Sequence, residues 1–369
     1  MNSNKLLVFA TSTRSDYARI EPLASAAFAA GFQVELFVTG LHMVGTYGLT
    51  KMETRVNRLF SSYEFVSRRE TDAESIVLSR TISGFADYIH SAKPNLVIVL
   101  GPSIEALGCA LATSTEHVPL VFIDEYGPEC IRSDALRHSI ATVSCAILNM
   151  GISCPVNKEE NGVHPPVFHI GSPEVDRYRL IDDSDISQVM ARYQISSAEY
   201  GICHFDPMSP RGRASFEDYR RILQGLQATR KYFVVFLPEN TIAYQSVREL
   251  LLNLPSDSFR VLPSMRAQYF SELVMNARCI IGDSRIAIIH APLLGIPSLS
   301  IAHYRPIDDI IDDITGDSFE VIKDKVNLAW TTRYASRISQ HEVNAAESFI
   351  KHLNSQEFWE TCSVAIQLP

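Results

Sequence analysis

No two of the seven cysteines stand in a C-x-x-C spacing. They fall at 109, 130, 145, 154, 203, 279 and 362, most of them inside apolar runs. That pattern predicts small buried core residues in a reducing compartment. No apolar stretch approaches the roughly 18 residues of a membrane span. Lys5-Leu6-Leu7-Val8-Phe9-Ala10 is too short for a secretory core and continues as a first strand. Positive charge is in deficit, 33 Lys and Arg against 42 Asp and Glu, a net charge of −9. Nucleic acid is therefore not expected as the main partner. The acidic pairs Asp308-Asp309 and Asp312-Asp313 have no His or Cys to complete a coordination set, and read as a solvated helix face. Neither a short repeat nor a low-complexity segment occurs. A soluble cytoplasmic protein without metal or cofactor is expected.

What is present is alternation. At roughly 150 residues per domain, 369 residues predict two domains, and 46% hydrophobic content supports two cores. Apolar runs at 6–11, 32–38, 95–100, 119–123, 145–148 and 167–170 read as strands. Helical patterns at 20–30, 72–92, 104–112 and 131–143 lie between them, and 11–17 reads as a polar turn. The acidic stretch Asp182-Asp183-Ser184-Asp185 reads as a linker, after which the pattern restarts with strands at 200–204, 232–236, 259–262 and 278–281. Strands separated by helices form parallel sheets covered on both faces. The expected fold class is α/β, with two Rossmann-like parallel-sheet domains, 1–178 and 179–350, and a cleft between them. The helix in 351–369 is expected to pack back toward the first domain.

In such sheets ligands sit at the carboxyl ends of strands. Arg14 and Asp16 follow the first strand and His42 the second. Glu105 follows the strand ending at Leu100, Glu125 the one ending at Ile123, and Arg137-His138 lies on the next helix. In the second half, His204 and Asp206 follow one strand, and Asp283, Ser284 and Arg285 another. The last group opens a strand–turn–helix–strand unit from Arg278 to Arg305. There Asp283 or Ser284 caps a helix that Gly295 ends, and helix N-terminal amides are free to meet a phosphate. The structural alternative is that each of these is an ordinary cap, ion pair or scaffold turn.

Four stretches carry a resemblance to a known family. They are Thr13-Arg14-Ser15-Asp16-Tyr17, Val38-Thr39-Gly40-Leu41-His42, Leu136-Arg137-His138 and Gly171-Ser172-Pro173-Glu174-Val175-Asp176. In order and spacing they resemble the hydrolysing UDP-N-acetylglucosamine 2-epimerases of the sialic- and legionaminic-acid branch, over roughly residues 5–305. The resemblance implies a GT-B fold, a sugar in the first domain and a nucleotide mainly on the second. It implies anti elimination of UDP to a 2-acetamidoglucal, then hydration to N-acetylmannosamine. It also implies Glu105, Glu125, Asp134, His138 and Asp206 as catalytic residues. Arg14, Asp16, His42, Arg137, Gly171, Ser172, His204, Asp283, Ser284, Arg285, His290 and Arg305 are implied to bind the nucleotide sugar. A homodimer or homotetramer is compatible with it.

The chain departs from that pattern at several motif positions. Where the family has Gly-Asp-Arg and then Glu, this sequence reads Gly101-Pro102-Ser103-Ile104-Glu105. Ile123-Asp124-Glu125-Tyr126 replaces a His-Gly-Gly-Glu-like run, and Asp206-Pro207 replaces His-Pro. Where the family has Asn-Ser-Ser-Gly and a ribose-binding Glu, Asp283-Ser284-Arg285 and His290 appear. Two alternatives stay open on residues alone: a GT-B glycosyltransferase-like enzyme on another nucleotide sugar, and a nucleotide-sugar-binding protein without turnover.

Overall fold

The structure, a computed structural model, describes residues 5–56, 58–124, 135–151, 165–181, 186–205, 214–237, 245–301, 310–338 and 344–367. The chain divides into one unit of Met1–Asp176 with Val343–Pro369 and a second of Arg177–Glu342. Each holds one all-parallel sheet. The first has seven strands in the order β3-β2-β1-β4-β5-β6-β7, the second six in the order β10-β9-β8-β11-β12-β13. The strands of the first are Leu6–Thr11, Gln33–Val38, Ser61–Glu64, Leu96–Leu100, Leu120–Asp124, Ala146–Asn149 and Val167–His169, β1 to β7. Those of the second are Gly201–His204, Phe233–Phe236, Phe259–Leu262, Ile280–Gly282, Ser298–Ser300 and Ile311–Asp313, β8 to β13. Two Rossmann-like units of this kind are what the alternation of strand and helix predicts, and the GT-B type is what the family resemblance implies.

Period-two alternation fills both faces of each sheet. Leu7 and Phe9 of β1 enter one apolar cluster, and Val8 and Ala10 enter the other. Cys203 and Val235 face one cluster of the second unit, Ile202 and Val234 the opposite one. The strands are buried on both sides, hence their nearly unbroken apolar sequences. The five described cysteines are buried and free. Burial pushes the thiols of Cys109 and Cys203 well up, and that of Cys279 up to about 12, so they behave as core residues and not as nucleophiles.

Several expected boundaries move, each for a local reason. The first helix runs Arg14–Ala29 and absorbs most of the expected polar turn. Thr13 and Asp16 form a reciprocal capping box that starts it early. The chain returns to the first unit at Val343, so the helix Ala345–Leu353 belongs there and not to the second unit. That helix buries Ala345, Phe349 and Leu353, with the Phe349 ring 6.1 Å from that of Phe9. Asp312 and Asp313 lie on strand β13, not on a helix face, and Lys325 pairs with Asp312 and Asp317. Among the described residues no helix is long and apolar enough to cross a membrane, and no cluster of His, Cys, Asp and Glu fits a metal.

Candidate active site

Each sheet has one place where the strand order turns back on itself. In the first unit it lies between β1 and β4, in the second between β8 and β11. Such a switch point leaves a crevice beyond the strand ends, where doubly wound folds bind ligands.

At the first switch point the strand exits build a small pocket, with room for about one water molecule. Its polar lining is Thr11, Ser12, Asp16, Thr39, Ser103 and Glu105. Asp16 sits in the first turn of its helix. Its Oδ2 accepts from the Ser12 amide at 3.2 Å, the Ser12 hydroxyl at 2.8 Å and the Thr13 amide at 3.0 Å. That carboxylate is spent on ordering the loop. Glu105 sits in the first turn of the helix Ile104–Thr115, which Ser103 caps through the Ala106 amide. Oε1 of Glu105 accepts from Arg68 Nε at 2.7 Å. The other oxygen takes no hydrogen bond from any described residue. Gly40, at φ +58°, passes so close that a Cβ there would lie 2.9 Å from Glu105 Oε1. Only glycine fits that approach.

Two neighbours of this pocket are committed elsewhere. His42 is fully buried; its Nε2 meets Thr11 Oγ1 at 2.9 Å and its Nδ1 meets Thr50 Oγ1 at 2.6 Å. It therefore ties β1 to the Thr50 turn. Arg14 does not pair with Asp16; it forks onto Glu53 at 3.1 and 2.5 Å.

The buried His42 has a measurable consequence. Burial pushes its imidazole from 6.5 down to about 4, against the raising influence of the Asp16 carboxylate. Between those values the unfolded chain binds a proton that the folded chain does not. The stabilisation is complete above about pH 6.5 and is lost as pH falls toward 4. For this residue alone, unfolding free energy should be about 2 kcal/mol lower at pH 5 than at pH 8. His42→Gln should flatten that slope by a similar amount, as read from urea unfolding at the two pH values.

Farther along the first sheet, Arg137 turns inward and donates from Nε to Asp124 Oδ1 at 3.2 Å, both side chains buried. His138, the next residue on the helix Ala135–Thr142, is exposed. Adjacent helical positions point about 100° apart, so the two side chains leave the helix in different directions. Gly171 takes φ +80°, and the Ser172 hydroxyl that follows is buried without a hydrogen-bond partner among the described residues.

The second switch point carries Gly282-Asp283-Ser284-Arg285. Asp283 is buried and accepts from the Tyr219 hydroxyl at 2.9 Å. The Ser284 hydroxyl is buried with no hydrogen-bond partner among the described residues. Helix geometry then begins as a π turn over Ile286–His290, where the Ala291 amide reaches back to the Ile286 carbonyl. Single π turns recur at functional sites. His290 is buried; its Nδ1 meets the Tyr178 hydroxyl at 3.0 Å, and its Nε2 lies 3.4 Å from Arg285 Nη2. A guanidinium only donates, so Nε2 accepts and Nδ1 carries the hydrogen toward Tyr178. His290 thus steadies Arg285. On the neighbouring strand, His204 packs against the rings of Phe236 and Phe270.

The sequence-predicted residues therefore gather as Asp16 and Glu105 in one unit, and as His204, Asp283, Ser284, Arg285 and His290 in the other. Glu125, Asp134, Asp206 and Arg305 lie outside the described residues. Arg68, Tyr178 and Tyr219 were not expected. Their partners are 37, 112 and 64 residues away in sequence, and no local motif announces them.

Known proteins place this geometry in a family. A family model described as UDP-N-acetylglucosamine 2-epimerase matches residues 26–309. The UDP-N-acetylglucosamine 2-epimerase of Neisseria meningitidis serogroup B is 26% identical over 80% of this chain and 79% of its own length. The UDP-N,N'-diacetylbacillosamine 2-epimerase (hydrolyzing) of Legionella pneumophila is 22% identical over 85% of this chain and 86% of its own. Among solved structures, Methanocaldococcus jannaschii UDP-GlcNAc 2-epimerase in complex with UDP-GlcNAc and UDP superposes with a TM-score of 0.71 at 14% identity. That match covers 95% of this chain and 98% of the other, and it is a likeness of fold. With most of its length matched by the family model, this chain belongs to the UDP-N-acetylglucosamine 2-epimerase family.

Proposed function

We propose that the chain is a cytoplasmic sugar-nucleotide enzyme of the hydrolysing 2-epimerase type, acting on UDP-N-acetylglucosamine or a close relative of it. Sugar chemistry is assigned to the first unit and nucleotide binding to the second. The observation that carries this reading is Glu105, a buried carboxylate that lines the pocket at a switch point, with one oxygen anchored and one that takes no hydrogen bond from any described residue. Asp16 beside it is consumed by backbone and hydroxyl donors, so Glu105 is the group left to move a proton.

The chemistry follows from the bonds. A base takes the C2 proton, the C2–H electron pair becomes the C1–C2 double bond, and the C1–oxygen bond breaks to release UDP. Water then adds across the double bond, hydroxyl to C1 and proton to C2 on the opposite face. The sum is UDP-N-acetylglucosamine plus water to UDP plus N-acetylmannosamine. Glu105 is assigned to proton transfer in this sequence.

In the second unit the departing diphosphate needs donors. Arg285 can supply a two-pronged contact, and the Ser284 hydroxyl is a second donor. His290 fills a different task from a ribose-binding carboxylate, since both its ring nitrogens are engaged. Arg285→Ala should weaken UDP binding about tenfold or more in calorimetric titration. Unchanged affinity would remove this strand exit from the nucleotide site.

A further inference from the structure

The pocket carboxylate is held from a part of the chain that carries no motif. Arg68 lies between edge strand β3 and the helix Glu74–Ala92. Its Nε donates to Glu105 at 2.7 Å, while Nη1 and Nη2 donate to the two oxygens of Glu74 at 2.8 and 2.7 Å. The Arg68 and Glu105 side chains are 17% and 6% exposed, so the pair is largely out of water. Glu74 is more than half exposed and anchors the outer end of the guanidinium. A Cβ at Gly40 would lie 2.9 Å from the same Oε1, so the absence of a side chain there leaves that oxygen its room. One oxygen of Glu105 is therefore held by a rigid fork, and the other takes no hydrogen bond from any described residue.

The strand exit that carries Glu105 supplies no cation of its own. Gly101-Pro102-Ser103-Ile104 contains no basic residue, and Ser103 is occupied as a helix cap. Asp16 and Glu105 both line the pocket, and a countercharge favours keeping two such carboxylates ionised. Arg68 is the cation hydrogen-bonded to Glu105.

We propose that Arg68 is the positioning residue for Glu105: brought to the pocket by the fold and not by the motif, it sets the orientation from which Glu105 transfers its proton. This rests on the reading of Glu105 as the proton-transfer group of a sugar-nucleotide reaction. Arginine is required because its planar fork bridges two carboxylates at once; a lysine ammonium reaches one as a point charge.

Steady-state kinetics of the full chain on UDP-N-acetylglucosamine test it, with Arg68→Ala and Arg68→Lys beside wild type. Positioning predicts a fall in kcat of about 30-fold or more for Arg68→Ala, with KM held within about twofold. Arg68→Lys, which keeps charge and most of the packing, should lose about tenfold in kcat, again at constant KM. It also serves as the reading if Arg68→Ala does not fold. An unchanged kcat in either folded variant, or a loss confined to KM, overturns the assignment alone. A wild-type chain without turnover overturns the functional reading and this assignment with it.

Discussion

Replacing Glu105 by Gln lowers turnover of UDP-N-acetylglucosamine by about 10²- to 10⁴-fold, the range expected for loss of a positioned acid–base group. The substitution keeps shape and removes only the ability to exchange a proton. Arg68 keeps its bidentate contact with Glu74, so the guanidinium is not stranded. The folding penalty should therefore stay near 1–3 kcal/mol, that of a weakened charged hydrogen bond. Loss of rate with an intact unfolding transition is the expected pair of results. A Glu105→Gln protein within about threefold of wild-type kcat takes Glu105 out of the chemistry.

Gly282→Ala should damage the second unit more than any surface change. Gly282 ends β11 at φ +151°, a conformation that side chains rarely adopt. A Cβ there would stand 2.0 Å from the His204 carbonyl oxygen of the adjacent strand, and neither backbone can withdraw without breaking the β8–β11 ladder. The expected loss exceeds about 3 kcal/mol, and UDP binding at the same strand exits should go with it. Gly316→Ala is the matched control: it is also left-handed, at φ +79°, but its Cβ would meet nothing within 4 Å. It should cost about 1 kcal/mol and leave binding alone. Denaturant unfolding of the two variants separates the backbone overlap from simple left-handed strain. Equal losses in both would mean that the β8–β11 approach is not the constraint.

Much of the fold could be read before any coordinates. β1, β2, β4 and β5 announce themselves as apolar runs because parallel strands covered on both faces have no wet side. Two of the four edge strands, β3 and β13, do not show as apolar runs, for the converse reason. β3 is Ser61-Ser62-Tyr63-Glu64 and β13 is Ile311-Asp312-Asp313, polar because an edge need not be buried. Asp16, Glu105 and Arg285 were legible since each follows a strand. What could not be read is how residues far apart share their hydrogen bonds. His42 follows a strand in sequence, while the contacts of its two nitrogens with Thr11 and Thr50 exist only in the fold. Arg68 lies in the charged run Arg68-Arg69-Glu70-Thr71-Asp72, and only the tertiary fold brings it to Glu105. His290 similarly reads as a nucleotide contact in sequence and as a support for Arg285 in space.

The central claim is that this chain breaks the C2–H and C1–O bonds of a nucleotide sugar and adds water to the product. Proton NMR of wild-type protein with UDP-N-acetylglucosamine in deuterated water, without an acceptor, tests it directly. The account predicts stoichiometric UDP and free N-acetylmannosamine carrying deuterium at C2. Nucleotide released only when an acceptor alcohol is added, or UDP-N-acetylglucosamine bound saturably with its C2 proton and glycosyl bond intact, would contradict it.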